Sequence, residues 1–186
     1  MLTVPESAED AGNQWTRLPL AEGHFGLPTF RFLAITAFDP LPAGNLGIRY
    51  ARPEMMALAN LLEHPEIKSG TMSSLFAGRS IKRSNKDLGR LLAITTLADL
   101  DDYRPWASSW LNALQTCFPN EWAQLALRTG AGLRALLRSR NDFEEAYHTC
   151  LNGLLASQPL SLDALRAAGN RVLGDAIETL EEFAKE

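Results

Sequence analysis

Five cations fall between residues 79 and 90: Arg79, Lys82, Arg83, Lys86 and Arg90, with Asp87 the only acid among them. Clustered guanidinium and ammonium groups suit one task above others, the holding of phosphate or carboxylate groups by charge-assisted hydrogen bonds. The cluster runs into an amphipathic pattern. Leu88, Leu91, Leu92 and Thr95 recur at spacings of three and four and should bury, while Lys86 and Arg90 share another face. Ser84 and Asp87 stand at the spacing of a capping box, with Asp in place of the usual Glu or Gln. Two readings fit: a solvated rim around a core helix, or an anion site for phosphates or an acidic partner. The net charge of -4 argues against a protein that coats DNA, and leaves a local patch open.

Other chemistry is thinner. Glu145 and His148 form an E-x-x-H pair, which projects two metal ligands from one helical face. Di-metal bundles need a second copy and two further carboxylates, and no second E-x-x-H occurs. His24 and His64 stand far from it in sequence. There is no G-x-S-x-G elbow, no G-x-x-x-x-G-K-[ST] and no G-x-G-x-x-G, and the Gly130–Gly132 pair lies inside a helical pattern. Cys117 and Cys150 lack C-x-x-C spacing and read as small core residues in a reducing compartment. Trp106, Trp110 and Trp122 sit at helical spacing with leucines, which marks core anchors rather than a platform for bases. On these grounds no catalytic residue, metal ligand or cofactor is assigned, and the binding candidates are Arg79, Lys82, Arg83, Lys86 and Arg90.

These side chains must be positioned by a chain of 186 residues, long enough for one well-buried domain. A hydrophobic content of 46% with 22% charged residues is ordinary for a globular protein. No apolar run nears the roughly 20 residues that span a bilayer, and the N-terminus lacks the pattern of a secretory signal, so a cytoplasmic protein without a membrane partner is expected. Residues 1–27, with Pro5, Gly12, Pro19, Gly23 and Gly26, read as an irregular arm anchored by Trp15 and Leu18. The run Thr29–Phe38 reads as a strand buried on both faces, and Leu46–Tyr50 as a shorter second strand after a turn at Asp39-Pro40.

Six helices follow in the pattern. The first starts at Pro53 and runs to Pro65, the second begins at Ser84 and ends near Asp99, and the third is capped by Asp101 or Asp102. The fourth runs from a cap at Asn120 to Leu137, weakened by Gly130 and Gly132. The fifth opens on an Asn141–Glu144 capping box, and the sixth follows Pro159 and Ser161. Gly169 and Gly174 in the sixth mark close helix approach or poor helix. The fold expected is mostly α (α+β): about two N-terminal strands packed on a bundle of about six helices, with residues 28–186 as one domain.

The segments IRYARPEMMALANLLEH (48–64) and RSIKRSNKDLGRLLAI (79–94) resemble small nucleotidyltransferase-like proteins of the AbiEii toxin group over about residues 46–95. The matching residues are Arg52-Pro53-Glu54 at a helix start and Lys86-Asp87 at the opening of the next. That resemblance implies a nucleotidyltransferase-like fold, with Asp39 in the place of a third carboxylate. The Gly-Ser turn and D-x-[DE] pair that would hold Mg²⁺ do not occur before Ile48. The expected function is therefore a non-catalytic interaction domain on a nucleotidyltransferase-like remnant, with the basic patch facing a nucleic acid or an acidic protein. A divergent Mg²⁺-dependent nucleotidyltransferase is the first alternative. A self-associating protein, its acidic tail (Glu178, Glu181, Glu182, Glu186) docked on the basic patch of the same or another copy, is the second.

Overall fold

The computed structural model describes residues 15–45, 47–66 and 70–186. Residues 1–14 of the expected arm, Leu46 of the expected second strand and residues 67–69 of the loop after the first helix lie outside them. The fold is mostly α with a small β component.

The described part of the arm is not irregular. Strand β1 (Trp15–Leu20) pairs antiparallel with β2 (Gly23–Pro28) across the two-residue turn Ala21-Glu22, in a register that sets Leu18 opposite Phe25. Gly23 has φ +143°, a conformation L-residues rarely adopt, which lets the chain leave the turn. Prolines and glycines dilute the alternation in WTRLPL and GHFGLP, so the period-two signal is weak. Trp15 and Leu18 do not act as anchors: they are 63% and 41% exposed, and the hairpin contacts chiefly itself.

The expected strand over Thr29–Phe38 is absent. The segment makes a bend and the short helix α1 (Leu33–Thr36), with Phe38 N–H donating to Ile35 O at 3.0 Å and Thr36 Oγ1 to Leu33 O at 2.8 Å. A short run apolar on both faces fits a buried helical turn as well as a buried strand. Phe32 and Ile35 are fully buried, and Phe32 meets Phe118 edge to face at 5.7 Å. The second strand shrinks to β4 (Arg49–Tyr50), paired with β3 (Leu41–Pro42).

The six expected helices are present, two of them divided. Helix α2 (Pro53–Glu66) opens on its proline. Helix α3 (Arg83–Ala98) is central and packs against α2, α7 (Arg140–Leu151) and α8 (Leu162–Val172), burying Leu88, Leu91, Leu92 and Thr95 as the spacing predicts. It ends on Asp99 in the left-handed region, φ 43°. Helix α4 (Arg104–Cys117) has its first N–H taken by Asp102 at 2.8 Å, and Trp110 Nε1 donates to Glu54 O on α2 at 2.8 Å. Trp106 and Trp110 are buried core anchors.

The helix expected from Asn120 to Leu137 breaks into α5 (Trp122–Arg128) and α6 (Ala131–Arg138) at Thr129-Gly130. A Cβ at Gly130 would meet the Arg134 guanidinium and, at 2.6 Å, Glu181 Oε1, so a larger residue at the joint would displace the ends of these two flexible side chains. The N-cap of α5 is Glu121 rather than Asn120, and its side chain makes no capping bond. Helix α7 starts earlier than the Asn141–Glu144 box predicts, on Ser139, whose Oγ accepts from Asp142 N–H at 3.3 Å. Ser161 caps α8, which continues through a π-helical segment (Leu173–Glu178) into α9 (Thr179–Phe183). Gly169 is a point of close approach, since a Cβ there would lie 3.0 Å from Leu92 and 3.2 Å from Leu137, whereas Gly174 has open space.

Candidate functional site

The loop before α3 turns back on itself. Thr71 bridges Lys82, and Phe76 exchanges two backbone hydrogen bonds with Arg79 at 2.8 and 3.0 Å. The two residues between them, Ala77 (φ 46°) and Gly78 (φ 80°), are both left-handed, as a tight hairpin turn requires. Arg79 therefore stands exposed beside the tip, away from the helix that carries the other cations.

Lys82 faces α7. Its Nζ lies 2.6 Å from Asp142 Oδ1, and its backbone N–H donates to Glu145 Oε2 at 3.0 Å. Asn85 Nδ2 donates to the same two carboxylates at 2.9 and 2.8 Å. At the start of α3 the Lys82 N–H is thus taken by Glu145 of another helix, with Asp142 held beside it by the Lys82 and Asn85 side chains, where negative charge is favoured by the helix dipole. This replaces the expected Ser84–Asp87 box: the N-cap residue is Lys82, and no side chain of α3 caps it. The Lys82 hydrogen bond, with those from Asn85 and Ser139, holds the Asp142 carboxyl down to about 2, and the same contact with Asp142 raises Lys82. Glu145 is occupied here, while His148 meets Phe76 edge to face at 6.4 Å. Among the described residues no group of three or more His, Cys, Asp or Glu side chains could hold a metal ion.

Arg83, Lys86 and Arg90 follow a different face of α3. Their spacing of three and four sets them in a row spanning about 10 Å at 1.5 Å per residue. They line one wall of a cavity of about 520 Å³ whose other walls come from α1, α2 and the loop before α3. Phe30, Leu33, Met56 and Met72 supply apolar surface, and Glu63 and Asp87 supply acid. Asp87, its side chain only 6% exposed, lies 3.3 Å from Lys86 Nζ and 3.4 Å from Arg90 Nη1. Arg83 is exposed and has no carboxylate within ion-pair distance among the described residues. Sequence reasoning found the cations but missed Glu63, Asn85, Asp142 and the apolar walls. Only Ser139-x-x-Asp142, a capping pattern, carried a local signal for any of these.

The remaining candidates are tied up elsewhere. Asp39 accepts from Arg52 at 2.8 Å, both at its carboxylate and at its backbone oxygen. Two of the tail acids meet α6 rather than the basic cluster: Glu181 takes a two-pronged bond from Arg134 at 2.7 and 2.8 Å, and Glu178 lies 3.6 Å from the same guanidinium. Cys150 donates to Gly89 O at 3.1 Å and burial pushes its thiol up to about 12; burial raises Cys117 as well. Neither thiol is activated. Among the described residues, no helix is long and apolar enough to cross a membrane. Comparison of the chain with protein-family models, curated proteins and solved structures finds no match.

Proposed function

We propose that this chain is a non-catalytic binding module that engages an acidic or phosphate-bearing partner through the Arg83–Lys86–Arg90 face of α3. One observation carries the reading: three cations share a helix face at the edge of a sizeable cavity, and one of them, Arg83, has no carboxylate within ion-pair distance among the described residues. A positive row beside an apolar recess attracts an anion by charge and retains it by desolvation. Arg79 extends the positive surface, and Lys82 serves the fold instead. Cys117 and Cys150 as free thiols support a reducing, cytoplasmic setting.

The test is binding of labelled RNA, duplex DNA and a poly-glutamate peptide at two salt concentrations, comparing the native chain with Arg83→Ala/Arg90→Ala. Lys82 and Lys86 are kept because Asp142 and Asp87 depend on them. Salt-sensitive binding that the variant loses is the expected result, with the slope for a nucleic acid counting phosphate contacts. Equal binding by both proteins overturns the reading. Stabilisation by a nucleoside triphosphate that requires Mg²⁺ would favour a nucleotidyltransferase instead.

A further inference from the structure

We infer that the exposed seam of α3 docks an acidic amphipathic helix of another protein, with two apolar anchors seven residues apart and carboxylates between them. The inference rests on the reading of the α3 face above and names the partner's chemistry. Lys86 and Arg90 line two cavities at once. The larger, of about 520 Å³, lies toward α1 and α2. The smaller, of about 260 Å³, lies toward the end of α7 and is lined by Phe76, Gly89, Ala93 and Leu154 among others. Arg83 and Asp87 fall on one side of the Lys86–Arg90 line of α3, and Gly89 and Ala93 on the other. The cations thus form a ridge with a recess on either flank.

Both recesses present apolar surface to solvent: Met56, 38% exposed, lines the larger, and Leu154, 57% exposed, lines the smaller. Their lining is more aliphatic than aromatic, which suits leucine-like anchors better than stacked bases. Ser73 and Asn60 in one recess, and Thr149 and Asn152 in the other, add polar atoms for the partner's polar side chains. Glu63 and Asp87 bring acid to the larger recess, so an apolar anchor enters there and the partner's carboxylates lie over the exposed arginines, Arg83 and Arg90. The dimensions agree. A helix with its side chains is about 10–12 Å across, and residues i and i+7 of a helix stand about 10.5 Å apart. Anchors at i and i+7 of a crossing helix reach both recesses while i+3 and i+4 face the ridge. Exposed ion pairs contribute little, so retention falls to the anchors. A second copy of this chain is a poor occupant, because its acidic C-terminal helix already buries Leu180 and gives Glu181 to Arg134.

The experiment is fluorescence anisotropy of the full chain with a labelled alanine-based helical peptide carrying Leu at i and i+7 and Glu at i+3 and i+4. The comparison peptides have Gln for both Glu, or Ala for both Leu, and poly-glutamate and a single-stranded RNA complete the set. Saturable binding of one peptide per chain is expected, with each comparison peptide weaker by about tenfold or more, the equivalent of about 1.4 kcal/mol. Arg83→Ala/Arg90→Ala should remove the preference for Glu over Gln. Met56→Glu and Leu154→Glu, both at exposed positions, should each lower binding by about tenfold while the far-ultraviolet circular dichroism stays unchanged. Equal binding of the three peptides, binding indifferent to Met56→Glu and Leu154→Glu, or tighter binding of the RNA overturns the inference. Poly-glutamate bound as tightly as the leucine-bearing peptide, and lost in the double-arginine variant, leaves the α3 face as an anion site and removes the helix alone. Absence of binding by every probe removes both.

Discussion

Lys82 and Arg83 are adjacent in sequence and opposite in what surrounds them. Lys82 meets Asp142, and its backbone meets Glu145, both on α7, and together with Asn85 they close the start of α3. Arg83 turns to the cavity side and meets no carboxylate among the described residues. A second closed region, Arg134 with Glu178 and Glu181, ties α6 to the C-terminal helix in the same manner. A cation surrounded by convergent carboxylates belongs to the fold, and a cation in a row with too few carboxylates is available to a ligand. The difference lies in the geometry of neighbouring helices, because both kinds of site are built on cations.

The strongest way to break the contrast is to part α3 from α7. A Cβ at Gly89 would lie 2.7 Å from Ala146 O and 2.9 Å from Thr149 Cβ, so Gly89→Val forces the helices apart and opens the Lys82 cluster with them. A loss of about 3 kcal/mol is expected in urea unfolding, the upper end for overpacking. Next in size is Arg134→Met, which leaves the 12%-exposed Glu181 without its two-pronged partner. It should destabilise by about 1–3 kcal/mol and leave anion binding at α3 unchanged, as chemical denaturation and the binding assay would report.

Asp142→Asn tests the closed cluster by pH. The folded carboxyl sits at about 2 against an ordinary 3.8, so its contribution is present above 3.8 and fades as pH falls toward 2. The variant should be less stable than the native chain at pH 7, with the gap closing by pH 2, as melting temperatures across that window would show. The smallest expected effect is the most informative. Arg83→Ala should change stability by less than about 0.5 kcal/mol, since exposed cations without partners contribute little. It should nonetheless weaken anion binding, which would separate a ligand contact from a structural one. A stability loss comparable to that of Arg134→Met would place Arg83 with the closed clusters.

Much of the fold was legible in the sequence because helices announce themselves locally. The burial of Leu88, Leu91, Leu92 and Thr95 follows from spacing alone, as do Pro53 at a helix start and Trp106 and Trp110 as anchors. The misreadings share a cause. Thr29–Phe38 has strand composition, but whether a run becomes strand or helix depends on a partner strand, and that is not a local property. The Ser84–Asp87 box matches a local template, yet the carboxylate that caps α3 lies on α7, 63 residues distant in sequence, where no local pattern points to it.

The same division holds for the site. Composition and spacing alone determined that the chain is mostly helical, that five cations cluster before and along its second long helix, and which face of that helix buries. They determined this because helix periodicity and charge clustering are written within about ten consecutive residues. Only the tertiary structure decided which cations stay available. It turned Lys82 into Asp142, gave two of the tail acids to Arg134, and set Arg83, Lys86 and Arg90 across from Phe30, Leu33, Met56 and Met72. Charge neutralisation and cavity formation depend on distances between helices, and those distances exist only once the helices have packed.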